Sequence, residues 1–259
     1  MQSTLDPSYI AFANELADAA RLVTLKYFRQ PLQIHSKDDR SPVTIADQET
    51  EAKMKSMIVG RYPDHGFYGE ESERIESNSK WMWVIDPIDG TTSFSTGKPT
   101  FGTLIALLYE EKPVLGIIDH AVTDDRWIGV KGQATTFNGE PVSCNEVDDL
   151  AGASAFTTTT RMFNESNMPR YQRLVDECKF GVFGADCMGY GLLASGFTEI
   201  VVEASLQPYD FLAVTPVVEG AGGVITDWQG NAITLQTSDE ILASANRSLH
   251  DKALQYLKA

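Results

Sequence analysis

Cysteine is scarce: Cys144, Cys178 and Cys187 are odd in number and irregular in spacing. They form no disulfide framework and no Cys-x-x-Cys zinc motif, and they fit a reducing compartment. Positive charge is short too, with 21 Lys and Arg against 36 Asp and Glu and a formal net charge of −15. So acidic a surface repels nucleic acid and anionic membranes, and neither is an expected partner. No stretch approaches the roughly 20 apolar residues needed to span a bilayer. The first residues lack the basic region and apolar run of a secretory signal, so the expected location is the cytoplasm. There is no Gly-x-x-x-x-Gly-Lys-Ser/Thr phosphate loop. Gly220-Ala221-Gly222-Gly223 ends a helix and precedes a strand, the reverse of a dinucleotide-binding turn. His35, His65, His120 and His250 are scattered and read as surface or packing residues.

What is present is an ordinary globular composition, 42% hydrophobic and 22% charged over 259 residues. That is enough chain for one large domain or two small ones sharing a core. Tyr9, Phe12, Ala13, Leu16, Ala20, Val23 and Tyr27 recur at helical steps, and Pro31 closes that helix. A polar loop over Ser36 to Pro42 precedes a helix from Ala46 to about Arg61. Strands are expected over Trp81–Asp86, Phe101–Tyr109, Pro113–Asp119, Arg126–Val130 and Ala134–Phe137, with a turn at Glu110-Glu111-Lys112. Beyond about Asn145 strands and helices alternate. Strands fall near Gly152–Ala155, Phe180–Phe183, Glu199–Glu203, Val224–Thr226 and Ile241–Ala243. Helices fall at Arg170–Cys178, Cys187–Ser195, Asp210–Gly220 and Asn246–Leu257. The class is therefore α/β, with an α+β first half and an α/β second half.

The chemistry concentrates in Trp83-Val84-Ile85-Asp86-Pro87-Ile88-Asp89-Gly90-Thr91-Thr92. An apolar strand delivers Asp86, and Asp89 follows three residues later. Two such carboxylates repel unless a cation lies between them or one holds a proton. No Lys or Arg occurs between Lys80 and Lys98, so a hard divalent cation such as Mg²⁺ suits the pair. The N–H groups of Gly90 and Thr91 and the hydroxyls of Thr91 and Thr92 offer phosphate donors beside it. An Asx turn built on the same two aspartates is the other reading. Glu70 in Gly69-Glu70-Glu71-Ser72 reads equally as a solvated loop, and Asp210 in Pro208-Tyr209-Asp210-Phe211 as a helix cap.

Taken together, and with Thr44-Ile45-Ala46-Asp47 and Glu219-Gly220-Ala221-Gly222-Gly223 in order, these segments resemble the inositol monophosphatase family of Mg²⁺-dependent, lithium-sensitive phosphatases. The resemblance implies a layered α-β-α-β-α sandwich, usually dimeric. It implies two to three Mg²⁺ ions, the first held by Glu70, Asp86 and the Ile88 carbonyl, the second by Asp86, Asp89 and Asp210, with Glu70 facing a weaker third. It makes Asp47 and Thr91 the pair that orients or deprotonates the attacking water, with Glu70 beside them. Gly90, Thr91 and Thr92 would hold the phosphate. Residues 1–145 would form an α+β metal- and phosphate-binding subdomain, and 146–259 an α/β subdomain completing the metal site and substrate pocket within one compact unit. Hydrolysis would proceed by attack of metal-activated water on a small phosphate monoester.

Inositol monophosphatases proper carry Trp-Asp where this chain has Pro208-Tyr209-Asp210. That segment, with Gly184-Ala185-Asp186-Cys187, Val202-Glu203 and Pro216-Val217-Val218-Glu219-Gly220, is similar to the histidinol-phosphatase branch, in histidine biosynthesis. Asp186 and Glu203, with Asp210, would then contact the substrate. An ammonium and an imidazole pair well with two carboxylates, although Asp186 also reads as a cap of the helix near Cys187. The alternatives are an inositol-1-monophosphatase or a broader sugar or nucleotide monophosphate phosphatase. A non-catalytic metal-binding regulator is more remote.

Overall fold

The computed structural model describes residues 5–31, 35–36 and 42–258. Helix α1 (Pro7–Tyr27) starts where the Asp6 carboxylate accepts the Ser8 N–H at 2.9 Å and Pro7 fixes the first turn. Its buried stripe, Phe12, Ala13, Leu16, Ala17, Ala20 and Thr24, is small enough for α2 (Ile45–Arg61) to lie close against it. Between them, β1 (His35–Ser36) and β2 (Pro42–Val43) pair antiparallel.

A seven-stranded sheet follows: β3 (Gly66–Gly69), β4 (Trp81–Asp89), β5 (Gly102–Tyr109), β6 (Lys112–His120), β7 (Asp125–Val130), β8 (Thr136–Phe137) and β9 (Glu140–Pro141), in that spatial order. The short helix α3 (Thr91–Ser95) leaves the end of β4. A second sheet holds β10 (Ser154–Thr157), β11 (Phe180–Phe183), β12 (Ile200–Glu203), β13 (Val224–Asp227) and β14 (Ile241–Ser244) in the order β11-β10-β12-β14-β13. The remaining helices are α4 (Met168–Asp176), α5 (Met188–Ala194), α6 (Pro208–Phe211), α7 (Val214–Gly220) and α8 (Arg247–Leu257).

Side-chain alternation along the strands assigns the layers. On β5, Leu104, Ala106 and Leu108 pack into the core beneath α5–α7, while Ile105 and Leu107 pack against α1 and α2. On β12, Val201 joins the α5–α7 core, while Ile200 and Val202 face α4 and α8. The central strands of both sheets are thus buried on both faces, which explains apolar runs without polar alternation, while the edge strand β11 is largely exposed. The order of layers is α1/α2, large sheet, α5/α6/α7, second sheet, α4/α8, the sandwich expected from the resemblance. The middle layer sits tight on the large sheet. A Cβ on Gly116 of β6 would stand 1.9 Å from the Ala213 carbonyl oxygen, and one on Gly129 of β7 would stand 2.2 Å from the Pro216 carbonyl carbon. Among the described residues no helix is long and apolar enough to cross a membrane, and the three cysteines are unpaired.

Several local expectations are corrected. The strand read as ending at Asp86 runs on to Asp89, because a register shift between those residues accommodates Pro87, which has no N–H to give the ladder. The helix expected over Asp210–Gly220 is two, α6 and α7, broken at Leu212–Ala213. Pro216 explains the break, since it offers no N–H to the Leu212 carbonyl and its ring crowds that group. Ser36 and Pro42, read as loop, belong to the β1–β2 pair, and 37–41 lie outside the described residues. The strand near Gly152 starts at Ser154 after a single tight turn, Leu150–Gly152, and the helix expected at Arg170 starts at Met168. Lys112 opens β6, and the turn is Glu110 and Glu111, both at positive φ. His120 and His250 are fully buried, with ring nitrogens bonded to the Phe101 carbonyl and to Thr226 and Ser244.

Candidate active site

The carboxylates delivered by separate elements meet at the rim of the middle layer. Asp86 and Asp89 come from the irregular end of β4, and Asp210 from the third position of α6. One oxygen from each lies within 4.8 Å of the other two. Burial, then the charges of Glu70, Asp89 and Asp210, push the Asp86 carboxyl well above its ordinary range. Burial and the Asp89 charge do the same to Asp210. Burial and the nearby Asp186 push Asp89 up to about 7. Three buried carboxylates, each made less acidic by burial and by neighbouring acids, form a cluster that a divalent cation would neutralise, and all-oxygen donors suit a hard ion. The residues present therefore fit a metal.

The two readings of Asp86 are both realised. Its Oδ1 accepts the Ile88 N–H at 2.9 Å, an Asx turn, and the same turn holds the carboxylate in the cluster. The cap reading of Asp210 is also realised in part, since its Oδ2 accepts the Gln207 N–H at 2.7 Å from inside the helix. Asp89 Oδ2 accepts the Cys187 N–H at 2.7 Å, which ties the end of β4 to the start of α5. Glu70 follows β3, half-buried, and its charge reaches Asp86 and Asp210.

Asp47 stands in the first turn of α2, fully buried. Its Oδ2 accepts both the N–H of Thr44 at 2.9 Å and its hydroxyl at 2.6 Å. Its Oδ1 faces the Thr91 hydroxyl at 3.2 Å, which also lies 3.1 Å from the Ile88 carbonyl. Burial raises the Asp47 pKa against the opposing Thr44 hydrogen bonds, and the Glu70 charge adds to the rise. Gly90 takes the left-handed conformation at φ 80° that starts α3, a turn only glycine makes cheaply. Thr91 and Thr92 occupy the first turn of α3, where N–H groups have no intrahelical acceptor.

Asp186 and Glu203 reach the same place from the other sheet. A cleft of about 110 Å³ is lined by Asp89, Gly90, Asp186, Tyr190, Glu203 and Asp210 among others. Asp186 does not cap α5. Its Oδ2 accepts the Ser93 hydroxyl at 2.6 Å and the Thr100 hydroxyl, and its backbone stands at φ 50°. Glu203 at the end of β12 accepts the Thr158 N–H and hydroxyl at 3.0 and 2.6 Å and the Tyr190 hydroxyl at 2.9 Å. Asp86, Asp89, Asp186, Glu203 and Asp210 thus come together, with Asp47 joined through Thr91, while Thr92 is exposed and does not line the cleft.

A match to the inositol monophosphatase family model extends over residues 6–259. The chain belongs to the inositol monophosphatase family. Bifunctional phosphatase IMPL2 of Arabidopsis thaliana, a chloroplastic protein, is 47% identical over 96% of this chain and 75% of its own. A histidinol-phosphatase of Chlorobaculum parvum is 37% identical over 93% of each chain. The solved structure of an inositol monophosphatase from Zymomonas mobilis matches with a TM-score of 0.90 at 38% identity, over 98% of both chains. Family and relatives alike indicate a phosphatase.

One further buried acid was not picked out in the sequence. Glu51 on α2 accepts the Glu71 N–H at 2.7 Å, and a Cβ on Gly69 would stand 2.4 Å from its oxygen. Glu51 therefore supports the loop that carries Glu70. A signal existed: Asp47, Thr50 and Glu51 continue the inward stripe of Met54 and Ile58, so acids occupy a face that should be apolar. Thr158, Tyr190, Ser93 and Thr100 gave none, being hydroxyls ordinary in their local context.

Proposed function

We propose that this protein is a Mg²⁺-dependent phosphate monoester hydrolase whose preferred substrate is L-histidinol phosphate, cleaved to L-histidinol and phosphate. The observation that carries this reading is the meeting of a three-aspartate cluster, two of whose members line the cleft, with two further buried carboxylates in that cleft, Asp186 and Glu203. The first group suits metal and phosphate. The second is best satisfied by an ester whose far end carries positive charge and N–H donors.

Glu70, Asp86, Asp89, Asp210 and the Ile88 carbonyl would hold two to three Mg²⁺ ions. Bound Mg²⁺ would neutralise the phosphate and lower the pKa of water at the site. The chain's own residues do the rest. Gly90, Thr91 and Thr92 donate to the phosphate oxygens. The Thr91 hydroxyl, placed between the Ile88 carbonyl and Asp47 Oδ1, orients the attacking water. Asp47 is the proton acceptor behind it, because burial makes that carboxylate more basic than a surface one. The chain's two halves, 1–145 and 146–259, divide the labour, the first supplying water, phosphate and most metal contacts, the second Asp210 and the substrate readers.

A second reading, an inositol-1-monophosphatase, is favoured by the Zymomonas mobilis likeness. Phosphate release from L-histidinol phosphate and from myo-inositol 1-phosphate, side by side with Mg²⁺, separates the two. A preference for the amine ester of about tenfold in kcat/KM, roughly 1.4 kcal/mol, is expected. Equal rates or the reverse preference sink the substrate assignment. The homodimer and lithium sensitivity follow from the family resemblance, and sedimentation and Li⁺ titration test them. A cytoplasmic or plastid compartment fits the unpaired thiols and the chloroplastic relative.

A further inference from the structure

The recognition carboxylate Glu203 is almost fully engaged before any substrate arrives. A carboxylate offers about four acceptor sites. In Glu203, Oε1 takes both the N–H and the hydroxyl of Thr158, at 3.0 and 2.6 Å. Oε2 takes the Tyr190 hydroxyl at 2.9 Å. Glu203 is 4% exposed and Tyr190 2%, so water does not compete for these positions. Tyr190, Thr158 and Glu203 all line the cleft that also holds Asp89 and Asp210. Tyr190 is itself fixed, packed from α5 into the core between the sheets. Its ring cannot swing away to release the bond without opening that core.

We propose that Tyr190 is a specificity-determining positioning residue, whose bond to Glu203 leaves that carboxylate a single open acceptor site, on Oε2, for one N–H donor of the substrate. Paired hydroxyls of a polyol bind a carboxylate best through both oxygens or two lone pairs together, and Oε1 has none to offer. The device therefore selects against vicinal diols as much as for a nitrogen base. This rests on the reading of Glu203 as a substrate contact and adds the residue that limits what Glu203 accepts.

The experiment is Tyr190→Phe, which removes the hydroxyl and keeps the ring. KM and kcat are measured with L-histidinol phosphate and myo-inositol 1-phosphate at saturating Mg²⁺. The ratio of the two kcat/KM values is expected to fall about tenfold from wild type, the scale of one hydrogen bond to a charged group. The change should lie in KM for the amine ester, with kcat within about threefold. The inositol ester should improve, because a second acceptor site opens on Oε2. Equal losses on both esters, or a loss confined to kcat, overturn the proposal. Should Tyr190→Phe fail to fold, Thr158→Val opens a site on Oε1 instead, and the same ratio should fall because the inositol ester gains; no gain for the inositol ester overturns the proposal. Because the readout is a change in ratio relative to wild type, it does not depend on which ester the wild type prefers. A wild type favouring inositol phosphate sinks the substrate assignment alone.

Discussion

Asp89 shows most directly how the site balances charge. It stands in the cluster with Asp86 and Asp210, near Asp186, and its carboxyl is pushed up to about 7 against an ordinary 3.8. The folded state therefore holds this proton more tightly than the unfolded chain, so the metal-free protein loses stability as pH rises from about 4 through 7. Asp89→Asn should remove that loss. In EDTA the variant should melt a few degrees above wild type at pH 8 and by a clearly smaller margin at pH 5. It should also abolish turnover. An identical shift at both pH values, or retained activity, would show that the charge at Asp89 plays no such part. The Cys187 N–H keeps an acceptor in the variant, because an amide oxygen also accepts, though less strongly than a carboxylate.

Residues of this kind were legible in the sequence because Asp86, Asp89, Gly90 and Thr91 lie in one short run after an apolar strand. Their neighbours were not. Asp186 meets Ser93 across 93 positions and Glu203 meets Thr158 across 45. A hydroxyl matters here only through the carboxylate it faces, and that pairing exists only after the sheets stack. The cap reading of Asp186 failed for the same reason, since two distant hydroxyls outbid the local backbone.

At the scale of elements, packing decides what pattern could not. The strands were readable because both faces are buried and the apolar runs are continuous. The break between α6 and α7 followed from a single residue, Pro216, inside a run that otherwise reads as one helix. The break lets α6 present Asp210 to the cleft while α7 lies on the large sheet. That contact needs Gly116 and Gly129, where an added methyl would meet backbone rather than a movable side chain. Gly129→Ala should destabilise the protein by about 1–3 kcal/mol or more, the usual cost of overpacking a fixed interface. Urea unfolding measures it. Gly132→Ala is a weak control for crowding, since it faces open space but sits at positive φ. A better one is Gly60→Ala, where no atom lies within 4 Å of the new Cβ and the backbone is helical. A neutral Gly129→Ala would mean that the middle layer is less tightly seated than the distances state.

On the scale of the whole molecule, net charge and site charge act in the same direction. With a formal −15, the fold carries self-repulsion that salt screens. A ligand that binds only the folded state adds RT ln(1 + [L]/Kd), about 2.7 kcal/mol at a hundredfold excess over Kd. Mg²⁺ should therefore raise the melting temperature well beyond NaCl at equal ionic strength. Asp210→Asn should shrink the excess, because Glu70, Asp86 and the Ile88 carbonyl remain, and leave the salt effect. Equal shifts from both salts would mean that the ion acts by screening alone. The layer order was legible only through the family resemblance, because alternation of strand and helix does not say which helices lie between two sheets.

The glycine contacts under α7 have one more effect. The middle layer separates the sheet that bears Asp89 from the sheet that bears Glu203, and its seat on the first is set by backbone touching backbone. The cleft is in that sense a caliper, with one jaw on each sheet. A caliper sorts by length. If the substrate is the proposed amine ester, one whose nitrogen stands one methylene nearer to or farther from its phosphorus would be gripped by one jaw but not by both.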